Sequence, residues 1–431
     1  MNKNIKLAVA GAVLALSATA ANAGIIIPAG EWTIDINGNV NAFGNYTKAK
    51  GVAGDGGAGA LAGGLRQIHD DSIGINTGLL PAWLGFTGKT RQNDLDVEFT
   101  ISLQPGVSNN TITGDGLTGG ENSAFGNRQT YVSFGDKSWG SIKLGKDLGI
   151  FASDAILNDM TLLGVGAIGT TPGLSPGGAN SGSAYNTTLG GIGSGYIYAA
   201  WKGQIAYTTP NFNGFQATVG LMNPNGTGLG QVATGATADL GTGAVTAASN
   251  VEVNQDRPGL EGKASYSFAG DALSGKIWVS GASYKVNTAL QTGASYTATV
   301  ADIGVNLNAG NLGVTGYYYS GEGVGTTFFG AQGLDATNGI KRDSDGGYIQ
   351  ATYVLPTKTK LGFAYGVSNL DRSVVGDNQI VDKNDRVTIG LYHPLTKHLN
   401  LVAEYNDIES RSHAGTKAEQ TQGSLGAILF F

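Results

Sequence analysis

Few residues of this 431-residue chain are typed and spaced for chemistry. Gly164-Val-Gly-Ala-Ile-Gly169 matches G-x-G-x-x-G, whose glycines let a backbone cradle a pyrophosphate. That motif needs a strand before it, a helix after it and a βαβ unit, and the flanking sequence offers none. Gly173-Leu-Ser-Pro-Gly177 matches the nucleophile elbow G-x-S-x-G. The strand that must deliver the serine is missing, and Pro176 stands where the helix should begin. With 71 glycines in the chain, both read as chance matches. The histidines are His69, His393, His398 and His413. His393 and His398 bracket a short turn without a carboxylate at ligand spacing, so they read as turn or interface residues. Asp343 and Asp345 precede Gly346 and offer hard oxygens suited to Ca²⁺, but the full EF-hand pattern is absent, and a solvated acidic loop is the simpler reading. Asp94, Asp96 and Glu98 fall on one face of a strand, where catalysis would need paired carboxylates at fixed separation. A hydrated wall that attracts cations fits them better. There is no cysteine, which excludes thiol catalysis and thiolate metal sites. We assign no catalytic residue, no metal and no cofactor.

The elements that carry these residues are strands. Leu95, Val97, Phe99, Ile101 and Leu103 alternate with Asp94, Asp96, Glu98, Thr100, Ser102 and Gln104. Trp32, Ile34, Ile36, Val40 and Ala42 alternate with Thr33, Asp35, Asn37, Asn39 and Asn41, and Ala301, Ile303, Val305 and Leu307 with Asp302, Asn306 and Asn308. Period-2 alternation gives each strand one apolar and one polar face. A soluble sandwich would turn the apolar face inward; a membrane barrel turns it outward to lipid and keeps a polar lumen. Connection lengths decide between them. About sixteen strands are expected, near 31–47, 72–89, 94–104, 127–134, 140–147, 195–208, 215–223, 257–268, 274–286, 295–309, 312–321, 345–355, 360–370, 384–393, 399–410 and 420–431. Their connections alternate between short turns and long Gly/Asn/Ser/Thr segments such as 48–71, 105–126, 148–194, 224–256 and 322–344. Long loops at one end and short turns at the other are the rhythm of an all-β, antiparallel transmembrane barrel. The chain ends Leu425-Gly-Ala-Ile-Leu-Phe-Phe431, which suits a closing strand. Trp83, Trp139, Trp201, Tyr207 and Tyr353 lie near strand ends, where aromatic girdles meet the interface.

Residues 1–23 read as a cleaved signal peptide: Lys3 and Lys6, an apolar run Leu7–Ala20, then Ala21-Asn22-Ala23. Residues 24–431 would form one barrel domain without an internal boundary. That apolar run is too short to span a bilayer, and no run of 18 apolar residues follows Gly24. Only 13% of residues are charged and the formal net charge is −6, which makes nucleic acid an unsuitable partner.

The segment Asn127-Arg-Gln-Thr-Tyr-Val-Ser-Phe-Gly135, then Trp139-Gly-Ser-Ile-Lys-Leu-Gly-Lys146, Phe151-Ala-Ser-Asp-Ala155 and Asn158-Asp-Met160, resembles the general trimeric porins of Gram-negative bacteria. Trp83-Leu-Gly-Phe-Thr-Gly-Lys89 is similar to that family's second strand and turn. The resemblance implies a sixteen-stranded barrel, an outer-membrane homotrimer, and passive diffusion of small hydrophilic solutes and ions. It also implies an inward-folded loop that narrows the pore by setting carboxylates against basic wall residues. On that pattern Asp154 and Asp159 are the loop carboxylates, facing Arg128, Lys202 and Arg386. Arg128 and Thr130 would point one way and Gln129 and Tyr131 the other. Asp94, Asp96, Glu98, Tyr196 and Tyr198 would line the pore. The chain departs from the family at two points. Trp83 stands where a second-strand arginine is usual, and the loop tip reads Leu162-Leu-Gly-Val-Gly166 without an acid. A less charged, more aromatic eyelet with weak cation preference is therefore expected. A substrate-specific channel for aromatic, sugar or weakly polar solutes is the nearest alternative, ahead of a barrel hydrolase or a secreted adhesin.

Overall fold

Strands with one face to lipid leave no backbone group unpaired only if the sheet closes on itself. The computed structural model describes residues 24–50, 71–107, 126–168, 187–223, 257–287, 295–330, 332–335, 339–375, 378 and 380–431. The leader expected at 1–23, His69, the Gly173–Gly177 match and most of the longer connections lie outside the described residues.

The chain opens with β1 (Ile25–Ala29), β2 (Trp32–Lys50), β3 (Asp71–Asn76), β4 (Trp83–Gln92), β5 (Leu95–Gln104), β6 (Gly126–Asp136) and β7 (Gly140–Leu148). Helix α1 (Ser153–Asn158) and a 3-10 turn (Met160–Leu163) come next. Then follow β8 (Trp201–Thr208), β9 (Phe215–Met222), β10 (Gly259–Ala269), β11 (Ser274–Asn287), β12 (Ser295–Ala309) and β13 (Leu312–Glu322). After a small hairpin, β14 (Leu334–Asp335) and β15 (Ile340–Lys341), the sheet resumes with β16 (Asp343–Val354) and β17 (Lys360–Leu370). It finishes with β18 (Val381–Pro394), β19 (Leu399–Ser412) and β20 (Lys417–Phe430). β20 pairs with β2 from Asn39↔Phe430 to Lys50↔Glu419 and closes the barrel. Since β3 and β4 are halves of one wall strand and β1 pairs with the foot of β2, the wall has sixteen antiparallel strands.

The alternation read from the sequence faces as a membrane requires. On β19 Asn400, Glu404 and Asn406 are buried inside while Leu401 and Tyr405 are exposed outside. Val40, Ile205, Leu221, Ile303 and Leu425 belong to the same outward apolar band. Every connection read as short is short, and all of these lie at one end. At the β4–β5 turn Asn93 and Asp94 both take left-handed φ, 50° and 62°, as a tight hairpin turn requires.

Four expectations are corrected. The strand expected over 72–89 is broken, because residues 77–82 leave the wall and turn into the lumen. Pro81 has no N–H for a ladder, and Asn39 and Asn41 patch the gap by donating their amides to the Pro81 and Leu80 carbonyls at 2.9 Å each. The strand expected over 195–208 begins only at Trp201; Gly195–Ala200 belong to the inward segment. Asp343 and Asp345 lie within β16 and pair with Glu322 and Ser320 on β13, not in a loop. Finally, Thr130 and Val132 face outward while Gln129, Tyr131 and Ser133 line the lumen, so plain alternation would send Arg128 to lipid. A β-bulge prevents this. Ile101 pairs with Thr130 but Leu103 pairs with Asn127, leaving Ser102 opposite both Arg128 and Gln129, and both turn inward. The Gln129 N–H donates to Ser102 Oγ at 3.2 Å, and the Asn127 amide donates to the Ser102 carbonyl at 3.1 Å.

Candidate functional site

The lumen is divided. One half is filled by residues 149–168 and 187–200, the described parts of the connection between β7 and β8, which fold inside and rest on the wall from β10 round to β20. Two isolated wall carboxylates hold it. Glu261 on β10 accepts the Ile150 and Phe151 N–H groups at 2.7 and 2.9 Å, and also the Tyr284 hydroxyl at 2.7 Å and the Lys202 ammonium at 2.5 Å. Glu404 on β19 accepts the Val165 and Gly166 N–H groups at 2.8 Å each and the Tyr392 hydroxyl at 2.7 Å. Consecutive N–H groups around one carboxylate form a nest, so Val165 and Gly166 of this glycine-rich run do cradle a carboxylate, the protein's own. Gln350 accepts the Met160 N–H at 2.9 Å and donates to the Asn158 carbonyl at 2.6 Å; the Tyr348 hydroxyl donates to the Ala155 carbonyl at 2.8 Å. An aromatic pad of Trp278, Tyr284, Tyr317, Tyr319 and Tyr348 lies beneath, all buried. Residues 323–330 fold in from the β13–β14 connection; the Thr327 carbonyl accepts the Tyr198 N–H at 2.9 Å, and Phe329 packs on Tyr284.

The other half is open. A cavity of about 750 Å³ runs along β2 and β4 to β8, bounded on the opposite side by the inward segments. The wall contributes Asp35, Lys89, Glu98, Arg128, Lys143 and Asp147, and the inward side contributes Leu80, Ile156, Leu157, Leu162 and Tyr198. Trp83 and Trp201 line it too. Leu157 is 37% exposed in this space, so the inward loop shows the cavity a hydrocarbon face, not a carboxylate.

The expected site residues divide between these halves. Asp154 on α1 is buried between Lys263 (2.9 Å) and Lys276, on β10 and β11. Burial pushes its carboxyl up, but the two ammonium groups and their hydrogen bonds outweigh that and hold it below its ordinary value. Asp159 accepts the Tyr196 hydroxyl at 2.8 Å, the Gly191 N–H at 3.1 Å and the Thr161 N–H at 2.9 Å, with Arg386 at 3.7 Å. Asp159 and Arg386 are therefore brought together, while Lys202 meets Glu261 and Arg128 stands across the open half. Tyr196 is fully buried, and burial followed by the Asp159 charge raises its hydroxyl pKa well above the ordinary value. Tyr198 borders the cavity. Asp94 and Asp96 lie at the short-turn rim, where Arg91 reaches Asp96 at 2.8 Å. Glu98 is inside, 3.2 Å from Lys89. Glu261, Glu404, Lys263 and Lys276 were missed; their one sequence signal is a charge at an inward position of a strand. Among the described residues no cluster of His, Cys, Asp and Glu is arranged to hold a metal.

A barrel narrowed from within by a strapped loop is the architecture of a diffusion channel, and the family comparison agrees: the profile described as Gram-negative porin matches residues 8–413. The chain belongs to the Gram-negative porin family. This porin is thus an outer-membrane β-barrel channel for passive diffusion. Its fold is similar to that of the outer-membrane channel DcaP of Acinetobacter baumannii, at 17% identity and TM-score 0.64, covering 95% of this chain and 100% of that one. It is similar also to an anion-selective porin from Comamonas acidovorans, at 18% identity and TM-score 0.58, covering 93% and 100%. A third likeness is to OmpF of Salmonella typhi in complex with daunomycin, at 14% identity and TM-score 0.55, covering 94% and 100%. No curated protein sequence matches the porin.

Proposed function

We propose that small hydrophilic solutes and ions cross this porin through the open half of its lumen, between the charged wall and the hydrocarbon face of the inward loop. The observation that carries this is the asymmetric strapping of the loop to β10–β20, which leaves the cavity along β2 and β4–β8 as the path. In this reading Trp83, Arg128, Glu98 and Tyr198 meet the solute. Asp154, Asp159, Lys202 and Arg386 set the pore size by fixing the loop. The cavity's charges, Lys89, Arg128, Lys143 and Lys263 against Asp35, Glu98 and Asp147, nearly balance, so selectivity among small ions is weak. Asp154, Asp159, Lys202, Glu261 and Glu404 are engaged as anchors of the loop, which supports a channel over a hydrolase. One structural relative, OmpT of Vibrio cholerae, is described in a trimer form, and we infer a homotrimer here, exported with residues 1–23 as its leader.

Single-channel conductance in planar bilayers, with reversal potential across a salt gradient, tests the reading. Ohmic openings in steps of three with a small reversal potential are expected, and Glu98→Gln should shift that potential toward anions. No conductance would overturn the channel path, and independent single steps would overturn the trimer.

A further inference from the structure

Arg128 is only 4% exposed, yet its Nε and Nη2 have no hydrogen-bond partner. A buried guanidinium left in that state is costly, because it has given up water without regaining an acceptor. Three further observations show what the missing acceptor is. The bulge in β6 exists at this one residue pair and turns Arg128 from the lipid side to the lumen; bulges re-aim side chains at functional places. The guanidinium carbon lies 5.7 Å from the centroid of the Trp201 ring, and Trp83, Tyr198 and Leu157 line the same cavity, which suits a flat apolar body. Two acids of that cavity are engaged elsewhere, Glu98 with Lys89 at 3.2 Å, and Asp147 with Lys143 and, at 3.2 Å, with the Gln129 amide; the third, Asp35 on β2, forms no ion pair with Arg128 among the described residues. The loop carboxylates Asp154 and Asp159 are buried against the far wall.

We propose that the cavity beside Arg128 is a binding subsite for planar aromatic monocarboxylates. Nε–H and Nη2–H of Arg128 are unpartnered but closed to solvent where the side chain rests, so the guanidinium swings toward the cavity as the carboxylate takes them, a fork that fits two carboxylate oxygens. The ring lies among Trp201, Trp83 and Tyr198. Such acids then cross by a saturable route superimposed on ordinary diffusion. The inference rests on the cavity being the solute path.

The test uses the full porin in planar bilayers, with benzoate as the probe and acetate and benzyl alcohol as controls. Benzoate should interrupt the current in a saturable, concentration-dependent way, while acetate, which lacks the ring, and benzyl alcohol, which lacks the charge, should not. Arg128→Gln should weaken the benzoate effect about 10- to 100-fold, the size of a lost hydrogen bond to a charged group. Should that variant fail to fold, Trp201→Leu keeps the guanidinium and should abolish the preference for benzoate over acetate. Equal effects of benzoate and acetate, or an undiminished benzoate effect in Arg128→Gln or an unchanged preference in Trp201→Leu, would overturn the subsite. If the native porin carries no current, the diffusion path fails, and tryptophan fluorescence in detergent micelles then decides the subsite: saturable quenching by benzoate supports it, and none refutes it.

Discussion

Glu261 and Glu404 illustrate what a lone inward charge does in a barrel. Each would be expensive on a buried face without partners, and each is satisfied by two backbone N–H groups of the inward segment, a tyrosine hydroxyl or a lysine. Asp154 works in the opposite direction, from the segment to the wall, between Lys263 and Lys276. Because its folded pKa is depressed below 3.8, its contribution is complete above that value and is lost only as pH falls through the depressed one. The current noise that this anchor suppresses should therefore stay low from neutral pH down to about pH 4 and rise on its account only below 3.8. Asp154→Asn removes the counter-charge of two lysines and leaves Lys263 only the Ser153 hydroxyl, a loss on the order of 3 kcal/mol, and should make the current noisy already at neutral pH. Recordings across that range check both statements.

At the scale of elements, the wall is cut to receive the loop. Gly366 on β17 faces the Ser194 carbonyl, where a Cβ would lie 2.1 Å from the oxygen, and Gly362 faces the Met160 sulfur at 2.5 Å on the same construction. These glycines are needed for close approach, not for an unusual φ. Gly366→Val should push the loop off its wall into the open half, at a strain of about 1–3 kcal/mol. The expected result is a folded barrel with lower single-channel conductance; an unchanged conductance would show that the loop does not bound the path. The strand rhythm was legible because each strand's apolar face repeats at period 2. The break at residues 77–82 was not, since Leu79, Leu80 and Ala82 are as apolar as the strand they interrupt and turn inward only because the loop is there to meet them.

For the whole molecule, closure is the controlling fact. The register of β20 on β2 pairs Leu425 with Gly44 and Phe430 with Asn39, and Phe431 exchanges both backbone hydrogen bonds with Gly38 at 2.8 and 3.0 Å. Removing residues 425–431 would expose that edge of β2 in hydrocarbon, at several kcal/mol for each unsatisfied group. Such a chain should give no folded band in unboiled detergent gels and no channels.

Period-2 alternation, turn chemistry and alternating connection lengths were enough to determine the barrel, its strand number and its inside and outside, because these depend on residues close in sequence. Residues far apart decided the rest. Asp159 meets Arg386, Asp154 meets Lys263 and Lys276, and Lys202 meets Glu261 only once the loop has chosen its wall. That choice is made by anchors from 59 to 239 residues distant, which no local pattern encodes. Arg128 shows the difference most sharply. Parity read from the sequence put Arg128 in the lumen together with Thr130, yet Thr130 faces outward and Gln129 and Tyr131 line the lumen. Only the pairing of β6 with β5, where one extra residue bulges opposite Ser102, brought Arg128 inside.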